Sequence, residues 1–130
     1  MSEKKIMVVD DEKAILNLLT QVFSKAGYVV LTAENGKEAI DIIEKENISV
    51  MFFDLNMPGM NGLELCRAVK KQIPISIIYA ITGYASLFEL AECRDAGFED
   101  YFKKPVAISV LLEKAATAFE TLERWKKING

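Results

Sequence analysis

The chain has 130 residues, 51% of them hydrophobic, with 16 basic against 19 acidic residues and a net charge of −3. That length and composition fit one domain whose core needs no disulfide or metal staple, and the mild acidity argues against a direct nucleic-acid or anionic-membrane surface. There is no histidine, which removes histidine nucleophile–base pairs, histidine general acids and histidine metal sites.

The first residues, MSEKKIMVVDD, hold only a short apolar run before two acids, so they read as neither a signal peptide nor a membrane span. Ile6–Val9 is a first strand, ended by Asp10 and Asp11. Residues 13–26 place Ile15, Leu18, Leu19, Val22, Phe23 and Ala26 at helical spacing, and Gly27 stands where a helix-terminating glycine belongs. Tyr28–Ala33 reads as a strand, Glu34-Asn35-Gly36 as a turn, and 37–46 as a helix with Ala39, Ile40 and Ile43 inward. Ile48–Phe53 is a nearly continuous apolar run, suited to a strand buried on both faces, and it stops at Asp54. A loop with Pro58, Gly59 and Gly62 leads to a helix over 63–72. Ile75–Ile81 is a fourth strand, stopping at Thr82-Gly83. A helix over 85–95 is closed by Gly97, Asp100–Phe102 is a short fifth strand ended by Lys103-Lys104-Pro105, and a last helix runs over 107–127.

Strands alternating with helices imply a parallel sheet with right-handed crossovers and helices on both faces. The expected class is therefore α/β, a doubly wound five-stranded parallel sheet of (βα)5 type, and by analogy with the common arrangement for this count it is flavodoxin-like with order 2-1-3-4-5. Cys66 and Cys93 match no zinc spacing and sit in apolar helical patterns, so both are expected as reduced core or near-surface residues. A cytoplasmic, reducing setting is the default expectation.

The polar residues at the carboxyl ends of strands 1, 3, 4 and 5 are Asp10/Asp11, Asp54, Thr82 and Lys104. Carboxyl ends line the ligand crevice of an open parallel sheet. Strands 1 and 3 are neighbours in this order, so the three aspartates should share one pocket. Two like charges about 5 Å apart repel by roughly 3 kcal/mol at an effective dielectric near 20, a cost that a hard divalent cation relieves. Mg²⁺ takes oxygen ligands, keeps several waters and often bridges carboxylates to phosphate. With a lysine, a hydroxyl and a carboxylate nucleophile, these are the parts of a phosphoryl-transfer site. Each part alone has a plain reading: acids at a helix start, a loop acid, a turn threonine, a solvated lysine. The combination, in order along four strands, is what is specific.

Over essentially its whole length the chain resembles a response-regulator receiver domain, through MVVDDE (7–12), FFDLNMPGMNGLEL (53–65), AITGYA (80–85) and AGFEDYFKKP (96–105). The resemblance implies one receiver domain over 1–130, with a core of about 4–122 and a helix end at 123–130. It makes Asp54 the phosphoacceptor and gives Asp11, Asp54 and the Asn56 backbone carbonyl to Mg²⁺, with Asp10 reaching the ion through water or positioning it. Lys104, before a proline whose peptide bond is typically cis in this family, contacts the phosphoryl group; Thr82 closes onto it; Tyr101 is the aromatic switch. The implied donor is a phosphohistidine on a sensor histidine kinase or histidine phosphotransfer protein. The implied output is a change in the face made by the fourth helix, fifth strand and fifth helix, which would act on a partner or output domain or form a homodimer. The implied activity is self-phosphorylation and slow autodephosphorylation rather than enzymatic turnover. Two features depart from the pattern: Pro74 lies farther before Thr82 than usual, and Tyr84 is bulky where water would approach an acyl phosphate. Trp125, among Arg124, Lys126 and Lys127, reads as a packed aromatic on a solvated helix end or as a partner contact.

Two rival readings remain at this stage. An aspartate-nucleophile phosphatase needs its two acids separated by one residue after strand 1, whereas Asp10 and Asp11 are adjacent. A flavodoxin-like cofactor binder needs a phosphate-cradling loop there, and DDEKA is acidic.

Overall fold

The computed structural model describes residues 3–83 and 87–129. The elements are β1 (Lys5–Val9), α1 (Lys13–Lys25), β2 (Val29–Ala33), α2 (Gly36–Lys45), β3 (Val50–Asp54), α3 (Gly62–Gln72), β4 (Ile77–Thr82), α4 (Leu87–Ala96), β5 (Asp100–Lys103) and α5 (Ile108–Asn129). The strands form one parallel sheet in the order β2-β1-β3-β4-β5, the expected α/β architecture. Tyr84 and the expected start of the fourth helix at 85 lie outside the described residues.

Alternate side chains of the central strands feed two cores. Met7, Val9, Met51, Phe53, Ile78 and Ala80 pack with α2, α3 and α4, while Ile6, Val8, Val50, Phe52, Ile77, Tyr79 and Ile81 pack with α1 and α5. This period of two, apolar on both phases, is what a strand covered on both faces requires. All five residues of β3 are buried. Stacked rings run through the second core from Phe23 to Phe52 to Tyr79, with centroids 5.2 and 5.1 Å apart.

Helix ends follow local chemistry. Asn35 caps α2 by accepting from the Glu38 N–H at 2.9 Å, and Asn61 and Glu64 form a reciprocal capping box on α3. Gly27, at φ +96°, ends α1 in the left-handed region where a side chain would be strained.

Three details differ from the sequence expectation. The buried face of α1 is Leu16, Leu19 and Phe23, whereas Leu18 is 45% exposed and Ala26 is exposed; on a helix with apolar residues at 15, 16, 18 and 19, the sheet selects the phase. Ile48 is buried but precedes β3. Ile75 lies outside β4 and is exposed, because the chain turns at Pro74-Ile75: the Ser76 N–H and hydroxyl both donate to the Ile73 carbonyl at 3.0 and 2.7 Å. The Lys70 ammonium fastens this turn by donating to the Pro74 and Ser76 carbonyls at 2.8 and 2.7 Å.

Cys66 and Cys93 are both free and buried. Burial pushes the Cys66 thiol up to about 12 and raises that of Cys93. Trp125 is half-exposed. No helix among the described residues is long and apolar enough to cross a membrane.

Candidate functional site

The carboxyl ends of β1, β3, β4 and β5 bring the anticipated side chains together. Register fixes this: Val9 pairs with Phe53, Asp54 with Ile81, and Thr82 with Lys103. Asp10 therefore emerges beside Asp54, and Thr82 and Lys104 emerge across from them. Asp10, Asp54 and Thr82 are buried, while Asp11 is exposed.

One carboxylate oxygen from each of Asp10, Asp11 and Asp54 lies within 4.8 Å of the others. Lys104 Nζ donates to Asp10 Oδ2 at 3.0 Å and stands 3.7 Å from Asp54 Oδ2. Three acids against one ammonium leave an excess of negative charge around hard oxygen donors, which fits a divalent cation such as Mg²⁺. Neither Asp10 nor Asp11 caps α1. The N-cap residue is Glu12, which makes no side-chain cap bond, and its N–H donates to Asp10 Oδ1 at 2.9 Å.

Burial pushes the Asp54 carboxyl up to about 6, with the Asp10 charge adding to the rise; Lys104 and the Asn56 N–H oppose it, and Asp11 adds a little more. For Lys104, burial pulls the ammonium down. The Asp10 hydrogen bond and the charges of Asp54, Asp10 and Glu12 outweigh it, so its affinity for the proton rises above the ordinary lysine value.

The loop after β3 is shaped by close backbone approach. The Gly62 N–H donates to the Leu55 carbonyl at 3.1 Å. A Cβ on Gly62 would meet the Asp54 carbonyl oxygen and come within 2.9 Å of Leu55 Cα. The Asn56 N–H donates to Asp54 Oδ1 at 3.2 Å. The Asn56 side chain does something the sequence reading missed: its Nδ2 donates to Thr82 Oγ1 at 3.1 Å. No sequence signal marks that contact, because it joins the loop after β3 to the end of the neighbouring strand β4.

The Lys104-Pro105 peptide bond is cis, and the Lys104 N–H donates to the Thr82 carbonyl at 2.7 Å. Tyr101 on β5 is half-buried and packs against the core that contains α3 and α4. An apolar groove lined by Leu18, Pro105, Val106 and Ile108 opens beside Lys104.

The response regulator receiver domain model matches residues 6–116. The chain belongs to the response-regulator receiver family. Among relatives of this receiver domain, sporulation initiation phosphotransferase F of Bacillus subtilis is 35% identical over 108 residues, 83% of this chain and 87% of that protein. Response regulator MprA of Mycolicibacterium vanbaalenii is 36% identical over 110 residues, which are 85% of this chain; the chain spans about half of that protein (48%). A CheY-like receiver domain protein from Methanospirillum hungatei JF-1 superposes with a TM-score of 0.91 at 36% identity, covering 95% of this chain and 98% of that one.

Receiver domains are phosphoacceptors of two-component systems, modified on an aspartate, and this chain shares that general function. As a class they bind Mg²⁺ at an acidic pocket and interact with histidine kinases or phosphotransfer proteins and with output domains. They act in general as switches rather than catalysts. Family membership replaces both rival readings, the phosphatase and the flavodoxin-like cofactor binder.

Proposed function

We propose that Asp54 is the phosphoacceptor of this receiver domain and that it takes its phosphoryl group from a phosphohistidine on a sensor histidine kinase or histidine phosphotransfer protein. The observation that carries the assignment is the convergence of Asp54 with Asp10, Asp11 and Lys104 at the ends of β1, β3 and β5. Asp54 is the buried carboxylate that ends the central strand, and it faces the lysine. An Asp54 carboxylate oxygen attacks phosphorus; the new O–P bond forms as the N–P bond to the donor imidazole breaks, and the imidazole leaves with the N–P electron pair.

Asp11, Asp54 and the Asn56 backbone carbonyl would hold Mg²⁺, with Asp10 reaching the ion through water or positioning it. The chemistry the ion supplies when bound is neutralisation of the carboxylates and of the phosphoryl oxygens. Lys104 gives the phosphoryl group its side-chain cation, and positioning of these groups accounts for most of the rate. Thr82 donates its hydroxyl to a phosphoryl oxygen once it has moved to reach it. Tyr101 then changes rotamer, and the α4-β5-α5 face passes to a second shape read by a partner, an output domain or a second copy of the chain. Phosphorylation shifts the balance of two conformations that both exist beforehand. The activity is self-modification with slow autodephosphorylation, so the chain is a switch and not an enzyme. Residues 1–130 act as one receiver domain, with its core at about 4–122. A cytoplasmic setting accords with two unpaired buried cysteines.

The test is Asp54→Asn. With Mg²⁺ and acetyl phosphate, the parent gains one phosphoryl group by intact mass and the variant gains none. A variant that still gains it removes Asp54 from the role.

A further inference from the structure

Asn56 stands out because its exposed side chain spends a hydrogen bond on a group that is fully buried. Thr82 is 0% exposed, ends β4 and holds the Lys104 N–H through its carbonyl. Asn56 lies in the loop after β3. Its backbone N–H donates to Asp54 Oδ1 at 3.2 Å while its side-chain Nδ2 donates to Thr82 Oγ1 at 3.1 Å. One residue thus ties together the proposed acceptor carboxylate and the hydroxyl expected to close on its phosphate.

We propose that the Asn56 side chain is a positioning residue that holds Thr82 in its resting place, so that the Asn56–Thr82 hydrogen bond opposes the movement of Thr82 toward a phosphoryl group on Asp54. This rests on the assignment of Asp54 as acceptor. When Thr82 moves, the bond is lost and the exposed amide turns to water. The exchange costs no more than an ordinary net hydrogen bond, so the resting bias is modest: about a 2- to 10-fold preference. A weak hold suits the task, because it must keep the unmodified domain off without preventing the phosphoryl group from turning it on. The backbone contact to Asp54 needs no side chain and survives truncation of Asn56. Exposure of the side chain also means that truncation opens no cavity in the core.

The experiment is a titration with beryllofluoride, a phosphoryl mimic, in the presence of Mg²⁺, followed by ¹⁹F NMR on the full chain and on Asn56→Ala, Thr82→Ala and the double variant. Removing the hold raises the apparent affinity of Asn56→Ala for the mimic about 2- to 10-fold. In the Thr82→Ala background the same change has no effect, since there is no hydroxyl to release. An unchanged or weakened affinity for Asn56→Ala overturns the proposal. So does an equal gain in the Thr82→Ala background, which would make Asn56 a steric screen over the site. If the parent chain itself takes up no mimic while Asp54 is intact, the acceptor assignment fails, a result distinct from either of these.

Discussion

Lys104 Nζ is closer to Asp10 than to Asp54: 3.0 Å to Asp10 Oδ2 against 3.7 Å to Asp54 Oδ2. The lysine therefore offsets only part of the pocket's negative charge and leans toward the acid that is not the proposed acceptor. Lys104→Met keeps the length and apolar contacts of the side chain and removes its charge. Two buried carboxylates then face each other unpaired, and breaking such a pair costs about 3–5 kcal/mol. Chemical denaturation in the presence of a metal chelator should show a loss approaching that size, and millimolar Mg²⁺ should recover part of it. A variant as stable as the parent without metal would mean that the lysine does not offset the acids.

The raised Asp54 carboxyl gives stability a pH dependence of definite sign. Its folded value of about 6 lies above the ordinary 3.8, so the fold prefers the protonated acid. As pH rises from about 4 to about 6, the unfolded chain gives up this proton first and stability falls; above that range the loss is complete. Asp54→Asn removes the effect. The variant and the parent should be nearly equal near pH 4, and the variant should be more stable at pH 7 without metal, by at most about 3 kcal/mol. Urea denaturation at the two pH values measures the difference, and a gap that does not grow with pH would contradict the buried-acid picture.

Mg²⁺ should raise the melting temperature of the unmodified protein, because binding to the folded state alone stabilises it. Asp11→Asn removes one of the three carboxylates and should shrink the rise seen at millimolar Mg²⁺. A melting temperature that ignores Mg²⁺ in the parent would count against the acidic pocket as a cation site.

Gly62→Ala tests the backbone packing under Asp54. The added Cβ would meet the Asp54 carbonyl oxygen and crowd Leu55 Cα at 2.9 Å. Overpacking of this kind typically costs about 1–3 kcal/mol. Beryllofluoride uptake should weaken along with stability, since the clash falls on the peptide of Asp54, the proposed acceptor. Unaltered stability and uptake would show that the loop can move aside at no cost.

Much of this was legible in the sequence, for identifiable reasons. Alternating strand and helix signals, with β3 apolar on both phases, dictated a parallel sheet covered on both faces. In such a sheet the residues at the carboxyl ends of β1, β3, β4 and β5 have to meet, so Asp10, Asp11, Asp54, Thr82 and Lys104 could be named from their positions alone. The phase of α1 could not. Ile15, Leu16, Leu18 and Leu19 offer two overlapping apolar faces, and only contact with the sheet decides that Leu16 is inside and Leu18 outside. Ile75 continued an apolar run, but the turn held by Ser76 and Lys70 keeps it outside β4. The Asn56–Thr82 bond was hidden because it depends on how the loop after β3 lies against the end of β4, a relation with no local signature.

The most direct measurement of the central claim is chemical mapping of the modified residue. The parent chain, incubated with acetyl phosphate and Mg²⁺, is treated with borohydride, which reduces an aspartyl phosphate to homoserine, and its peptides are then identified by mass spectrometry. The acceptor assignment predicts homoserine at position 54. Homoserine at position 10 or 11, with Asp54 intact, would contradict it.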